Sequence, residues 1–578
     1  MPTAFRAPGV YVEELPSGVH PIVGISTATA AFVDVFDKGP VGVAVKVSGP
    51  GEFERTFGGV SPGSEASYAI TQFFNNGGSQ AWVVRVLPTG AGNAVAASAK
   101  QEPKSAVVTD DGKPPDPGPK CLTVTALSEG QWGNALCFGI QLLPVAGGGD
   151  PTRFDFVVGE VVPVPGSSKV KVVVREAFRS LSIDPADPRY CPTIVSGSQL
   201  VRATVDDGAT IPAPTLFRNK DDSTGMPDGD AMTKNPPNPA PTPPGDIAKQ
   251  TSIAHFHRLD GGKDGKPADT TTALAKMLLG DPAAQTGIYA LNTIAPDIFN
   301  ILCIPAMANI TDDTARQSLL APAEQFCADH RAMLLIDPPA AMDTKTTAAD
   351  VGSAMKTFVE TLDPTENAAT YFPRLVVADP VTGGTKNIGP SGTIAGIWSR
   401  TDTQRGVWKA PAGTEATLMG ARPAVTMTED TSDEFNPIGI NVLRTLPVFN
   451  NVVWGSRTMQ GADLMASQWK YIPVRRTALY IEESLRQGLQ WVVFEPNDEP
   501  LWAQIRLNVG AFMQNLFRLG AFAGQTPQEA YLVKCDSDTT TAYDVSTGVV
   551  NIRVGFQPLL PCEFVVIQIQ QLTLPAEV

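Results

Sequence analysis

Both ends of this chain are written for β-structure, and a strand at a chain end has no partner until another edge supplies one. Residues 7–15 read Ala-Pro-Gly-Val-Tyr-Val-Glu-Glu-Leu, and residues 561–572 read Pro-Cys-Glu-Phe-Val-Val-Ile-Gln-Ile-Gln-Gln-Leu. Terminal segments fray unless something holds them, and open apolar edges pair with other chains. Strand addition to a neighbouring subunit meets both conditions. The candidate inter-subunit arms are Val10, Tyr11, Val12 and Glu13 at one end, and Phe564, Val565, Val566, Ile567 and Ile569 at the other. The pattern points to an assembly protein.

Composition agrees with that reading. The chain has 578 residues, enough for about three or four domains with large cores. Charged residues make up 18%, below the usual fraction of about 25%, as expected where much of the surface lies against other subunits. Gly (52) and Pro (51) are abundant, favouring strands, turns and loops over a helical bundle. A net charge of −15 argues against nucleic acid as a partner, because phosphate neutralisation needs clustered Lys and Arg. No apolar run reaches the roughly 18 residues that a membrane span needs, and no secretory signal peptide is expected at the N-terminus. Cys121, Cys137, Cys191, Cys303, Cys327, Cys535 and Cys562 are scattered without metal-site spacing. Free thiols, a reducing compartment and no cofactor are the expectation.

Along the chain the expected organisation is an N-terminal arm (1–24), the first part of a core (25–92), a β-rich outward-facing insertion (93–250), an α/β core domain (251–452), an inner α+β C-terminal domain (453–560) and a C-terminal arm (561–578). Residues 24–35 predict a buried strand. The stripe Ala66, Ile70, Phe73 and Phe74 predicts a helix over 66–76, ended by Gly77-Gly78, and residues 81–86 predict a strand. Short β-like runs (121–125, 154–158, 169–174) follow among Pro- and Gly-rich loops, including the six-proline stretch 235–245. Strands at 298–304, 332–337 and 374–378 then alternate with helices at 312–329 and 348–362, the rhythm of a largely parallel sheet covered by helices. The final section predicts a helix at 474–490, a strand at 491–494 and a long amphipathic helix at 498–520, its apolar face carrying Trp502, Ile505, Val509, Phe512 and Leu516. A polar hairpin at 536–548 and strands at 549–554 and 564–569 complete it. The fold class is thus a discontinuous, layered α/β core with a β-rich inserted domain, an α+β C-terminal domain and extended strand arms.

Catalytic patterns are weak. Gly59-Val60-Ser61-Pro62-Gly63 spells a nucleophile elbow, but Pro62 has no N–H to give an oxyanion. A hydrolase would draw on Ser61 and His330. His255 and His257 alternate on a probable strand, with Asp260 as the only third ligand within reach; a surface strand before a turn fits better. Leu259-Asp260-Gly261-Gly262-Lys263-Asp264-Gly265 lacks the closing glutamate of a calcium loop and the Lys-Ser/Thr ending of a P-loop, so it reads as a glycine turn. Asp34, Asp337 and Asp379 lie at strand ends, where α/β enzymes place carboxylates and where capping is the ordinary role. Lys470, Arg475, Arg476 and Arg486 form a basic group in an acidic chain, either a docking surface for an acidic partner or a helix face pairing with Glu482 or Glu483.

Several segments in order carry a resemblance. They are Pro8–Glu14, Phe57-Gly58-Gly59, Phe73–Gly78, Leu127-Ser128-Glu129-Gly130-Gln131-Trp132-Gly133-Asn134, Leu259–Gly265, Thr286–Leu291, Ser391-Gly392-Thr393-Ile394-Ala395-Gly396, Arg400–Pro411, Val453-Trp454-Gly455-Ser456-Arg457-Thr458 and Pro561–Gln571. Together they resemble contractile phage tail sheath proteins, a family that includes the sheaths of phage-derived injection particles and tailocins. The resemblance implies a structural subunit, not an enzyme, with a subtilisin-type core layout that lacks a protease triad. It implies stacked rings around an inner tube, arms lent to adjacent subunits, and contraction that drives the tube through a target cell envelope. The implied partners are other copies, the inner tail tube protein, and baseplate and tail terminator proteins. The implied location is a virion tail or phage-tail-like particle assembled in the bacterial host cytoplasm. Within that picture, Lys470, Arg475 and Arg476 are expected to face the tube. The competing expectation is a static shell or surface-binding structural protein.

Overall fold

The structure is a computed structural model that describes residues 20–87, 96, 98–101, 122–143, 151–164, 167, 170–209, 211–212, 256–264, 270–345 and 347–564. At its centre lies an eight-stranded sheet. Its order is Asn450–Val453, Asn441–Leu446, Ala368–Phe372, Met333–Ile336, Ile301–Cys303, Ala30–Asp34, Ala81–Arg85, Ala44–Val47. The inner strands are parallel, and an antiparallel strand closes each edge.

Parallel strands covered on both faces read as near-continuous apolar runs, and most positions of the strands at the middle of this sheet are apolar. Ala31, Val33, Leu302, Leu334 and Ile336 join one apolar layer with Leu278, Leu319 and Met355. Ala30, Phe32, Ile301, Met333 and Leu335 join the opposite layer with Ile70, Phe73, Ile394 and Trp398. Helices Thr271–Leu279, Asp313–Asp329 and Ala348–Glu360 supply the first layer. Helices Glu65–Asn75 and Ser391–Arg405 supply the second.

Among the described residues there are four smaller sheets. Ser98–Gln101, Leu122–Ala126 and Val201–Val205 form one of three strands. His257–Arg258, Leu136–Leu142, Phe154–Pro163 and Val170–Leu181 form one of four, so this sheet draws on residues beyond position 250. These two share an apolar cluster built on Leu136, Phe138, Phe156 and Val124. In the C-terminal region the face predicted for the long helix, Trp502, Ile505, Val509, Phe512 and Leu516, is buried, on a helix running Glu499–Arg518 and capped by Asp498. The fold is mixed α/β with several sheets.

Several local expectations change. The strand expected at 374–378 is Leu375–Ala378, and it belongs to a separate antiparallel sheet with Thr385–Ile388 and Ala421–Pro423. The central sheet instead uses Ala368–Phe372, and Pro373, with no N–H to give a ladder, separates the two. Only Ala30–Asp34 of the expected strand 24–35 is a strand. Trp491–Phe494 is not a strand: Gln490–Val492 is a 3-10 turn, and Phe494 has φ of 72°. The last described strand is Arg553–Phe556 rather than 549–554, and the expected hairpin contains a short helix, Ala542–Ser546. The proline-rich stretch 235–245 and the strand 564–569, apart from Phe564, lie outside the described residues.

Gly392 and Gly396 have a steric purpose. A β-carbon on Gly392 would stand 2.2 Å from the Ala69 carbonyl oxygen, and one on Gly396 would stand 2.5 Å from that of Phe73. Helices Glu65–Asn75 and Ser391–Arg405 therefore touch backbone to backbone. Gly392→Ala is expected to cost about 1–3 kcal/mol, the range for overpacking a filled core, as read from denaturant unfolding. A change within about 0.5 kcal/mol would show that the helices part freely.

Candidate docking elements at the two chain ends

The N-terminal root lies along helix Ile472–Gly488. Arg476, Tyr480, Ser484 and Gly488 are four residues apart and so form one ridge. The Thr27 carbonyl accepts from Arg476 Nη2 at 2.9 Å, and the Ile25 N–H donates to Ser484 Oγ at 3.3 Å. Gly24 sits against the Tyr480 ring, and Ile22 sits where a Gly488 side chain would stand. His20 stacks on Trp491, ring centroids 4.3 Å apart. Residues 20–27 thus run antiparallel to the helix, with His20 near its C-terminal end. Val10, Tyr11, Val12 and Glu13 lie outside the described residues.

The C-terminal root follows the two-stranded sheet Tyr531–Lys534 and Arg553–Phe556. Among the described residues, each strand of this pair has one partner, so each has an open edge. Gln557 is tied on both sides, its N–H to the Ala530 carbonyl at 2.8 Å and its carbonyl to the Ala523 N–H at 3.0 Å. Glu563 is then gripped by Arg457: Nε to Oε1 at 2.8 Å and Nη2 to Oε2 at 2.6 Å. The Tyr471 hydroxyl adds a bond to Oε2 at 3.2 Å. Phe564 is 74% exposed; Val565, Val566, Ile567 and Ile569 lie outside the described residues.

The basic group is divided: Arg486 is exposed, whereas Arg476 is buried. Arg476 is 4% exposed, bonded to both oxygens of Asp402 at 2.9 and 2.6 Å, and placed over the Trp398 ring at 4.5 Å. Breaking such a buried pair costs about 3–5 kcal/mol, far above the ~0–1 kcal/mol of a surface pair. Arg476 therefore holds its own subunit together, which corrects the tube-facing expectation for it. Arg475 stacks on Trp469 and donates to Asn367 Oδ1 at 2.8 and 3.1 Å, with Glu482 at 3.9 Å. Lys470 bonds Asp463 at 2.7 Å. Arg486 pairs with Glu483.

The candidates for chemistry do not come together. Ser61 Oγ donates to Asp37 at 2.8 Å, whereas the His330 ring bonds the Phe326 carbonyl and packs on Phe326 and Phe299. His255 lies outside the described residues; His257 stacks on Phe138, and burial lowers its pKa to about 4. Among the described residues, no three His, Cys, Asp or Glu side chains are grouped to hold a metal. Nor is any helix there long and apolar enough to cross a membrane. Residues 259–264 pack instead on the Leu127–Asn134 segment: Asn134 bonds both the N–H and the carbonyl of Gly262, and Asp264 accepts from the Gln131 N–H.

Arg85 stands behind that junction, fully buried and donating to the carbonyls of Phe36, Asp37, Gly39 and Glu129 at 2.7–3.0 Å. No local sequence pattern gives the burial of Arg85 or the Arg457–Glu563 pair, because those acceptors are brought to them by distant segments.

The strand-end carboxylates are structural. Asp34 caps helix Glu65–Asn75 through the Ala66 N–H at 2.8 Å, and Asp379 takes the Tyr68 hydroxyl at 2.9 Å. Asp337 accepts from the Ser391 N–H at 2.8 Å and from its hydroxyl at 2.5 Å. Desolvation raises both Asp34 and Asp337 to about 7. A carboxyl with a raised folded pKa stabilises fully below its unfolded value of 3.8, and that contribution is lost as pH rises toward about 7. Asp337→Asn is therefore expected to flatten the decline of stability between about pH 5 and pH 7, by at most ~1.4 kcal/mol per pH unit. Urea unfolding across that range reads the slope; a variant curve parallel to wild type would mean that Asp337 is already ionised.

Residues 466–571, which include the two-stranded sheet and the Glu563 root, match the phage tail sheath C-terminal domain family. Over 304 residues the chain is 23% identical to a prophage major tail sheath protein of Pseudomonas aeruginosa (strain UCBPP-PA14), covering 51% of this chain and 72% of that one. Over 274 residues it is 26% identical to the tail sheath protein of Burkholderia phage BcepMu, covering 44% and 54%. In fold it is similar to the sheath of the extracellular contractile injection system PVC in the contracted state, with TM-score 0.51, 18% identity and 98% of both chains covered. It is also similar to a sheath tail protein of Listeria innocua, with TM-score 0.54, 12% identity, and 94% and 96% covered. The chain is thus similar to tail sheath proteins in its C-terminal domain, in sequence over about half its length, and in fold.

Proposed function

We propose that the chain is a structural subunit of a contractile tail sheath, polymerising around an inner tube and contracting to drive that tube through a target cell envelope. The observation that carries this reading is a sheath fold along 98% of the chain, with two chain-end roots fixed to one body and an open-edged two-stranded sheet beside them. Arms that leave a rigid body next to unpaired strand edges suit strand addition between copies. In this reading the β-rich insertion faces outward and the C-terminal α+β region inward. The partners are further copies, an inner tail tube protein, and baseplate and tail terminator proteins. The place of action is a virion tail or phage-tail-like particle put together in the bacterial cytoplasm.

The mechanism needs no nucleotide. Subunits turn as near-rigid bodies between two packings that differ by a few kcal/mol each, and the difference sums over the lattice. The arms keep neighbours joined while other contacts break and reform.

Deleting residues 1–19, or residues 564–578, is expected to leave a folded subunit that no longer forms tubes in negative-stain micrographs. Normal tubes from both truncations would refute the arm mechanism. Particles of a single length, with no shortened and widened form, would favour a static shell.

A further inference from the structure

The grip on Glu563 reaches past the C-terminal region into the central sheet. Asn441, on a central strand, accepts from the Arg457 N–H at 2.7 Å and donates to the Arg457 carbonyl at 2.7 Å and to the Thr370 carbonyl at 3.1 Å. Thr370 and Asn441 stand on adjacent parallel strands of that sheet. The close approach requires Gly455, where a β-carbon would stand 2.8 Å from the Asn441 Cα. The Arg457 side chain is 1% exposed, and its Nη1 donates to Asp463 at 2.9 Å and to the Asn436 and Gly461 carbonyls at 2.8 and 3.1 Å. Its planar fork is thereby fixed in one orientation before it meets Glu563, and a bidentate arginine–carboxylate contact fixes direction as well as distance. Immediately beyond, Phe564 is exposed.

We propose that Arg457 and Glu563 are positioning residues for assembly: they make the central sheet, not the two-stranded hairpin, the anchor of the C-terminal arm, and they set the point and direction at which the arm departs. A neighbouring subunit holding residues 565–578 then pulls through Glu563, Arg457 and Asn441 on the stiffest layer of the molecule, so the arm hinges after residue 563 and not within 557–563. This rests on the sheath reading.

The test uses the full chain with Glu563→Ala, and with Glu563→Gln, which keeps the side-chain length, should the alanine variant fail to fold. Hydrogen exchange on the unassembled subunit is expected to rise by about tenfold at the amides of residues 562–564, as for local opening, with Ile301–Cys303 and Met333–Ile336 unchanged. Tubes pelleted from the same preparation are expected to fall by about tenfold or to change pitch, since a loosened arm root loses its pre-set geometry. Faster exchange with normal tubes would overturn the assembly role. Lost tubes with wild-type exchange at 562–564 would overturn it too, because the loss would arise elsewhere. A wild-type chain that makes no tubes would count against the sheath reading itself, while the exchange result still decides whether Glu563 anchors the root.

Discussion

The architecture depends on a parallel sheet whose middle strands come from distant parts of the chain. Ala30–Asp34 lies between Ala81–Arg85 and Ile301–Cys303, so everything between Arg85 and Ile301 is a loop from the sheet's standpoint. Loop-closure entropy rises only by about 0.6 kcal/mol for each doubling of length. Burying one Ile or Leu side chain contributes about 1.5–3 kcal/mol. A sheet with apolar layers on both faces therefore tolerates a large inserted region at small cost, and that region is free to carry its own core.

Buried arginines turn these connections into rigid joints. Arg85 ties the end of a central strand to the loop 36–39 and to Glu129 of the β-rich part. Arg374 links Glu65 and Asp343, Arg476 links Asp402 with the N-terminal root, and Arg457 links Glu563 with the core. The guanidinium offers five donors in a fixed plane, so one side chain can tie several backbone segments at once. A subunit fastened in this way suits rotation as a unit.

Legibility followed the range of the interactions. The helix at 65–75, the stripe from Trp502 to Leu516 and the strand at 333–336 were readable because each follows from periodicity within one element. Ala368–Phe372 was missed because Ala-Ala-Thr gives little apolar signal, and its neighbours in the sheet supply the burial. Arg476 was not legible for a related reason: sequence displays charge without its partner, and Asp402, distant in the chain, is what draws Arg476 inward.

What the sequence determined by itself was the kind of molecule: a mixed α/β protein whose helices and strands alternate through the core. Those properties follow from local hydrophobic period and turn chemistry, which act over a few residues. Tertiary structure alone decided which strands share a sheet, which charges are buried, and that Arg457 reaches Glu563 from the central sheet. Such contacts join segments far apart in the chain, and a side chain's donors find their acceptors only after the packed layers have brought those segments together.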